Sequence, residues 1–110
     1  MDIASAREIV LSEFNAEEYD HFGKVAFRIK ARKTGGKPGR TFMTLWLEEG
    51  FAVLMLDTDL QAGLLDHRSS AFERHPSKWG EKGATILHLE KVDREQFLAA
   101  MEIAFAYARR

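Results

Sequence analysis

The densest chemistry-bearing stretch of this chain is basic. Lys30, Arg32, Lys33, Lys37 and Arg40 place five positive charges within eleven residues, and Arg28 stands just before them. Ammonium and guanidinium groups at that density neutralise phosphates without reading base edges. The same composition also suits a solvated hairpin tip protected against aggregation. A second cluster, His75-Pro76-Ser77-Lys78-Trp79-Gly80-Glu81-Lys82-Gly83, sets an indole between Lys78 and Lys82. Trp79 can serve there as a platform for a base or an apolar ligand. It can equally be a structural plug behind which Gly80 and Gly83 let the chain turn, and a chain this short favours the plug.

The remaining reactive side chains are dispersed. His21, His67, His75 and His88 lie far apart, and pairing His21 with Asp20 or His67 with Asp66 supplies only two of the three or four ligands a metal needs. Thr34-Gly35-Gly36-Lys37-Pro38-Gly39-Arg40 resembles a phosphate-cradling loop only loosely, because it lies between two expected strands and has Arg40 after its last glycine. There is no nucleophile elbow and no zinc-protease signature. The chain is therefore expected to have no catalytic residues, no metal site, no cofactor and no enzymatic activity.

Charge is segregated along the chain. The 110 residues carry a formal net charge of −1, yet residues 1–20 sum to −5, residues 21–47 to +7 without one acid, and residues 48–66 to −5. A protein gripping phosphates over its whole surface would be basic overall, so any such contact must be a local patch. The absence of cysteine excludes a disulfide framework and a thiolate nucleophile. No window approaches 18 apolar residues and the N-terminus lacks a secretory layout, so a cytoplasmic protein without a membrane span is expected.

The hydropathy pattern sets out the elements that must position these residues. Ser5-Ala6-Arg7-Glu8 fits a capping box and predicts a helix over about 6–14, followed by an acidic loop around Tyr19. Val25, Phe27 and Ile29 alternate with Ala26, Arg28 and Lys30, a strand with one basic face. Strands over 41–47 and 51–56 follow around Glu48-Glu49-Gly50. Thr58 caps a short helix over about 59–67, a brief strand is expected at 71–73, and another at 84–89. Asp93 and Gln96 form a capping box for a closing helix with the stripe Phe97, Met101, Ala104, Phe105 and Ala108.

The predicted fold is α+β: a curved antiparallel sheet with helices on one side, in the order helix, three strands, short helix, two strands, helix. Trp46 and Phe42 are expected on one face of their strand, and Met43, Leu45 and Leu47 on the other. A strand apolar on both faces calls for cover on both, so a homodimer is expected if the helices do not suffice. An apolar groove near Trp79 or Trp46, binding a protein or a small molecule, is the alternative to phosphate contact.

From about Glu17 to Ala108 the chain resembles the MmcQ/YjbR family of small bacterial proteins. The likeness rests on His21-Phe22-Gly23-Lys24, on Ala26-Phe27-Arg28-Ile29 and on the 41–47 strand. It continues in Lys78-Trp79-Gly80-Glu81-Lys82-Gly83, in Leu87-His88-Leu89 and in the final helix with Ala104 and Tyr107. The resemblance implies one domain over 1–110 with a CyaY-like or secretion-chaperone-like topology. It also implies a DNA-binding label, and no reaction or cofactor. Phe14-Asn15-Ala16 departs from the family's Leu-Pro-Gly, and residues 31–40 are a local extension of the first hairpin. Taken together, the expected partner is a DNA or RNA backbone, held by Lys30, Arg32, Lys33, Lys37 and Arg40, with Arg28, Lys78 and Lys82 as secondary contacts.

Overall fold

The computed structural model describes residues 1–66 and 70–110. The end of the expected 59–67 helix, and His67, lie outside the described residues. Helix α1 (Ile3–Glu13) begins earlier than the Ser5 capping box suggests, because the Asp2 side chain accepts the Ser5 N–H at 2.8 Å and takes the cap itself. Asp57 likewise displaces Thr58 as the cap of α2 (Thr58–Leu65), accepting from Leu60 N–H at 2.8 Å. Helix α4 (Arg94–Ala108) starts at the expected place, with both bonds of the Asp93/Gln96 capping box formed.

Among the described residues, six strands form one open, wholly antiparallel sheet. They are β1 (Ala16–His21), β2 (Lys24–Ile29), β3 (Thr41–Trp46), β4 (Phe51–Leu54), β5 (Phe72–Arg74) and β6 (Thr85–His88), in spatial order β1-β2-β3-β4-β6-β5. The α+β class is as expected, but four strands precede α2 instead of three. The stretch expected as an acidic loop is the edge strand β1. It pairs with β2 through Phe22-Gly23, both at positive φ, the signature of a type I′ turn. A four-residue helix α3 (Lys78–Glu81), also unexpected, sits between β5 and β6.

The main core lies between one sheet face and the helices. Phe27, Met43, Leu45, Leu54 and Leu87 from the sheet meet Ala6, Ile9 and Val10 of α1 and Phe97, Met101 and Ala104 of α4, with Leu60 and Leu64 of α2 at the margin. Each such fully buried large side chain contributes roughly 1.5–3 kcal/mol. Phe42 joins this core, on the side opposite Trp46, which corrects the expected pairing of the two. The register shifts from Phe27↔Met43 to Arg28↔Thr41, so Phe42 is the extra residue of a β-bulge and turns inward with its neighbour. There its ring packs edge-on against Phe105 at 5.3 Å.

The second sheet face carries a smaller apolar cluster: Val53, Ala84 and Ile86 are buried beneath Trp46, Phe51 and Met55. Strands apolar on both faces are thus accommodated partly by their own aromatic side chains. Among the described residues no helix is long and apolar enough to cross a membrane.

Candidate nucleic-acid interface

The antiparallel order brings the two basic stretches to one end of the sheet. The 30–40 loop joins the end of β2 to the start of β3, and residues 75–84 join the end of β5 to the start of β6. β3 and β6 are two strand spacings apart, about 10 Å. The last turn of α4 comes to this same end, because Arg40 reaches its carbonyls. The opposite end bears the turns around Phe22 and Glu48-Glu49.

Four of the candidate cations converge. Lys30, Arg32, Lys33 and Lys37 line a depression of about 580 Å³, joined by Arg109 from the end of α4. Ile29, Phe105 and Ala108 contribute its apolar part, and none of the residues lining it is acidic. Arg109 stacks its guanidinium 5.3 Å from the Phe105 ring centre. Two local contacts shape the loop: Lys30 donates its N–H to Asn15 at 3.0 Å, and Gly39 donates to Ile29 at 2.9 Å. A Cβ on Gly39 would stand 2.7 Å from that of Ile29, so the loop folds closely over the strand only because this residue has none.

Arg28 and Arg40 are committed elsewhere. Arg28 donates to Glu17 at 2.8 Å and lies over the Tyr19 ring at 4.3 Å. Arg40 donates from Nε to the Ala108 carbonyl at 3.0 Å, and from one terminal nitrogen to Tyr107 at 3.1 Å and Arg110 at 2.7 Å. It therefore caps the C-terminus of α4, where carbonyls lack intrahelical partners and the dipole favours a cation. Of the four acids of residues 13–20, Glu13 pairs with Arg94, Glu17 with Arg28 and Glu18 with Arg7, while Asp20 accepts the Gly23 N–H at 3.4 Å. The hydrogen bond to Glu18 raises the Arg7 pKa still further. Among the described residues, no carboxylate pairs with Lys30, Arg32, Lys33 or Lys37.

Trp79 is 69% exposed, which overturns its reading as a plug. Gly80 takes the buried position instead, pressed so closely on His75 that a Cβ would meet its carbonyl oxygen at 1.7 Å. Gln61 anchors this segment by donating to the Gly80 and Ala84 carbonyls at 3.0 and 2.9 Å. The indole thus points outward, with Lys82 Nζ 5.7 Å from its ring centre. Lys78, Lys82 and Trp79 share the basic end of the sheet but do not line the depression.

The three described histidines have partners: His21 bonds Tyr19 at 3.3 Å, His75 bonds Ser77 at 2.8 Å and His88 pairs with Glu73 at 3.2 Å. Among the described residues, no three His, Asp or Glu side chains are grouped so as to hold a metal ion. Sequence reasoning missed Arg109 as a member of the basic site and Arg40 as a helix cap. Both depend on contacts between residues some 70 positions apart, for which the chain carries no local signal. Comparison with known proteins finds no matching family model, no matching curated protein and no matching solved structure.

Proposed function

We propose that this protein is a nucleic-acid-associated accessory protein of MmcQ/YjbR type, non-enzymatic and cytoplasmic, that holds phosphates without reading sequence. Lys30, Arg32, Lys33, Lys37 and Arg109 make the principal contacts, with Lys78, Lys82 and Trp79 as a secondary strip. Arg28 and Arg40 shape the surface more than they touch the ligand, since Arg28 is ion-paired with Glu17 and Arg40 is bonded to the carbonyls at the end of α4. The observation that carries the reading is a concave site lined by five cations and no acid in a protein whose net charge is −1. Cations held together without counter-charges repel one another, and a polyanion relieves that repulsion while releasing its own condensed counterions.

The test is a salt series with fluorescently labelled single-stranded and duplex DNA, read by anisotropy. If about four phosphates are neutralised, log K should fall with log salt at a slope near −3.6 on duplex, about 0.9 per contact. Lys33→Glu with Lys37→Glu should flatten that slope by about two. No detectable binding at ~50 mM salt, where such contacts are strongest, refutes the proposal.

A further inference from the structure

The second sheet face holds a row of planar and cationic side chains at one level. In the strand register His21 faces Lys24, Trp46 faces Phe51, and Phe51 faces His88. Lys24 Nζ lies 4.0 Å from the Trp46 ring centre and joins the two halves of the row. Trp46 and Phe51 are 5.5 Å apart, and Phe51 and His88 6.0 Å. At the near end the Phe22 ring adds itself edge-on to His21 at 4.8 Å. Five strands are crossed, about 19 Å at ordinary strand spacing. Helices α1, α2 and α4 deliver their apolar residues to the other face; along the row His21 and Phe22 are exposed, while Lys24, Trp46, Phe51 and His88 are half-buried, with His75 5.7 Å from the Trp46 ring.

Phe22 is the least expected member. It is 94% exposed and sits at φ 51°, in a type I′ turn whose central positions favour Asn, Asp and Gly. A phenylalanine there strains the backbone and exposes a ring, and the fold gains only an edge-on contact with His21 in return. Such a local conflict points to a function served by the side chain. The row itself contains no carboxylate, but Glu73 reaches it through His88, and Glu48 and Glu49 share a hollow with Lys24. Lys24 offers one cation to a phosphate, and the flat rings suit exposed base faces. A duplex keeps those faces stacked inside, whereas a single strand offers them.

We infer that this face stacks the bases of single-stranded nucleic acid on Phe22, Trp46 and Phe51, with Lys24 swinging from the indole to a phosphate. The inference rests on the phosphate-binding reading above and narrows it to single strands. The test compares a labelled single-stranded oligonucleotide, a duplex of the same length and an abasic oligonucleotide with the same phosphates, all against the native protein. The abasic strand should bind at least about tenfold more weakly than the intact one, since one lost aromatic–base stack alone accounts for that much.

Phe22→Asn, which suits the turn, should fold at least as stably as the native chain yet lose about fivefold or more in affinity for the intact strand and none for the abasic one. Equal binding of intact and abasic strands, with Lys33→Glu/Lys37→Glu still weakening both, would overturn the stacking inference and leave the phosphate reading standing. A dimer that Phe22→Asn or Trp46→Leu turns into a monomer, with oligonucleotide affinity unchanged, would instead make this face an interface between copies and overturn it too. Failure of every nucleic acid to bind removes both readings.

Discussion

Replacing Arg40 by alanine separates the structural use of a cation from a ligand-binding one. Its guanidinium donates three hydrogen bonds, at 3.0, 3.1 and 2.7 Å, to the carbonyls of Ala108, Tyr107 and Arg110. Bonds to a charged group are each worth about 1.5–3 kcal/mol when well sheltered. Arg40 is largely exposed and water replaces much of what is lost, so a net cost of about 1–2 kcal/mol is expected, including about 0.3–1 for the cation at the helix dipole. Unfolding entropy of roughly 2.1 cal/mol/K per residue makes each kcal/mol worth about 4 °C in a chain of this size. Arg40→Ala should therefore lower Tm by about 4–9 °C in thermal circular dichroism, with a matching fall in the urea midpoint.

Arg40→Lys keeps the charge but cannot span neighbouring carbonyls, so it should recover less than half of the loss. Measured well below Tm, Arg40→Ala should leave the salt slope of DNA binding unchanged, whereas Lys33→Ala should flatten it by about 0.9. A Tm within about 1 °C of the native value, together with a slope reduced by about one, would refute the capping role and return Arg40 to the ligand.

Gly80→Ala should cost about 2–3 kcal/mol or more by urea denaturation, because the new methyl meets the His75 carbonyl oxygen at 1.7 Å and must displace backbone; a cost below about 0.5 kcal/mol would mean that the α3 segment is not held as described. Acid should fray α1 through its cap. The Ser5 backbone N–H lowers the Asp2 pKa, so this contribution is present above the ordinary carboxylate range near ~4 and is lost as pH falls through the lower folded value. Asp2→Asn should accordingly lose less stability than the native protein between pH 6 and pH 3, and identical pH profiles would contradict the assignment.

Most elements of the fold are written in short-range pattern. Period-two alternation at Val25–Phe27–Ile29, and the Asp93/Gln96 box with its apolar stripe, each operate within a turn or a strand and appear in the structure where expected, while the strand expected over 51–56 ends at Leu54. The basic loop is equally legible, since five charges in eleven residues need no folding to be seen. β1 was hidden because an edge strand tolerates the charge of Glu17, Glu18 and Asp20, and its pairing is fixed by β2 and by a Phe-Gly turn with an unusual first residue. The bulge at Phe42 was equally hidden, for one extra residue in a ladder reverses a side chain without altering the alternation around it.

The local chain thus determined most of the helical and extended segments, though not β1 or α3, and where positive charge is concentrated. Tertiary structure alone decided which of those charges are available. Arg28 and Arg40 look like their neighbours in sequence, but one meets Glu17 and the other the end of α4, while Lys30, Arg32, Lys33 and Lys37 gather with Arg109 around one hollow. Secondary structure is governed by interactions a few residues long, whereas the pairing state of a flexible charged side chain depends on what distant segments bring within about 4 Å of it.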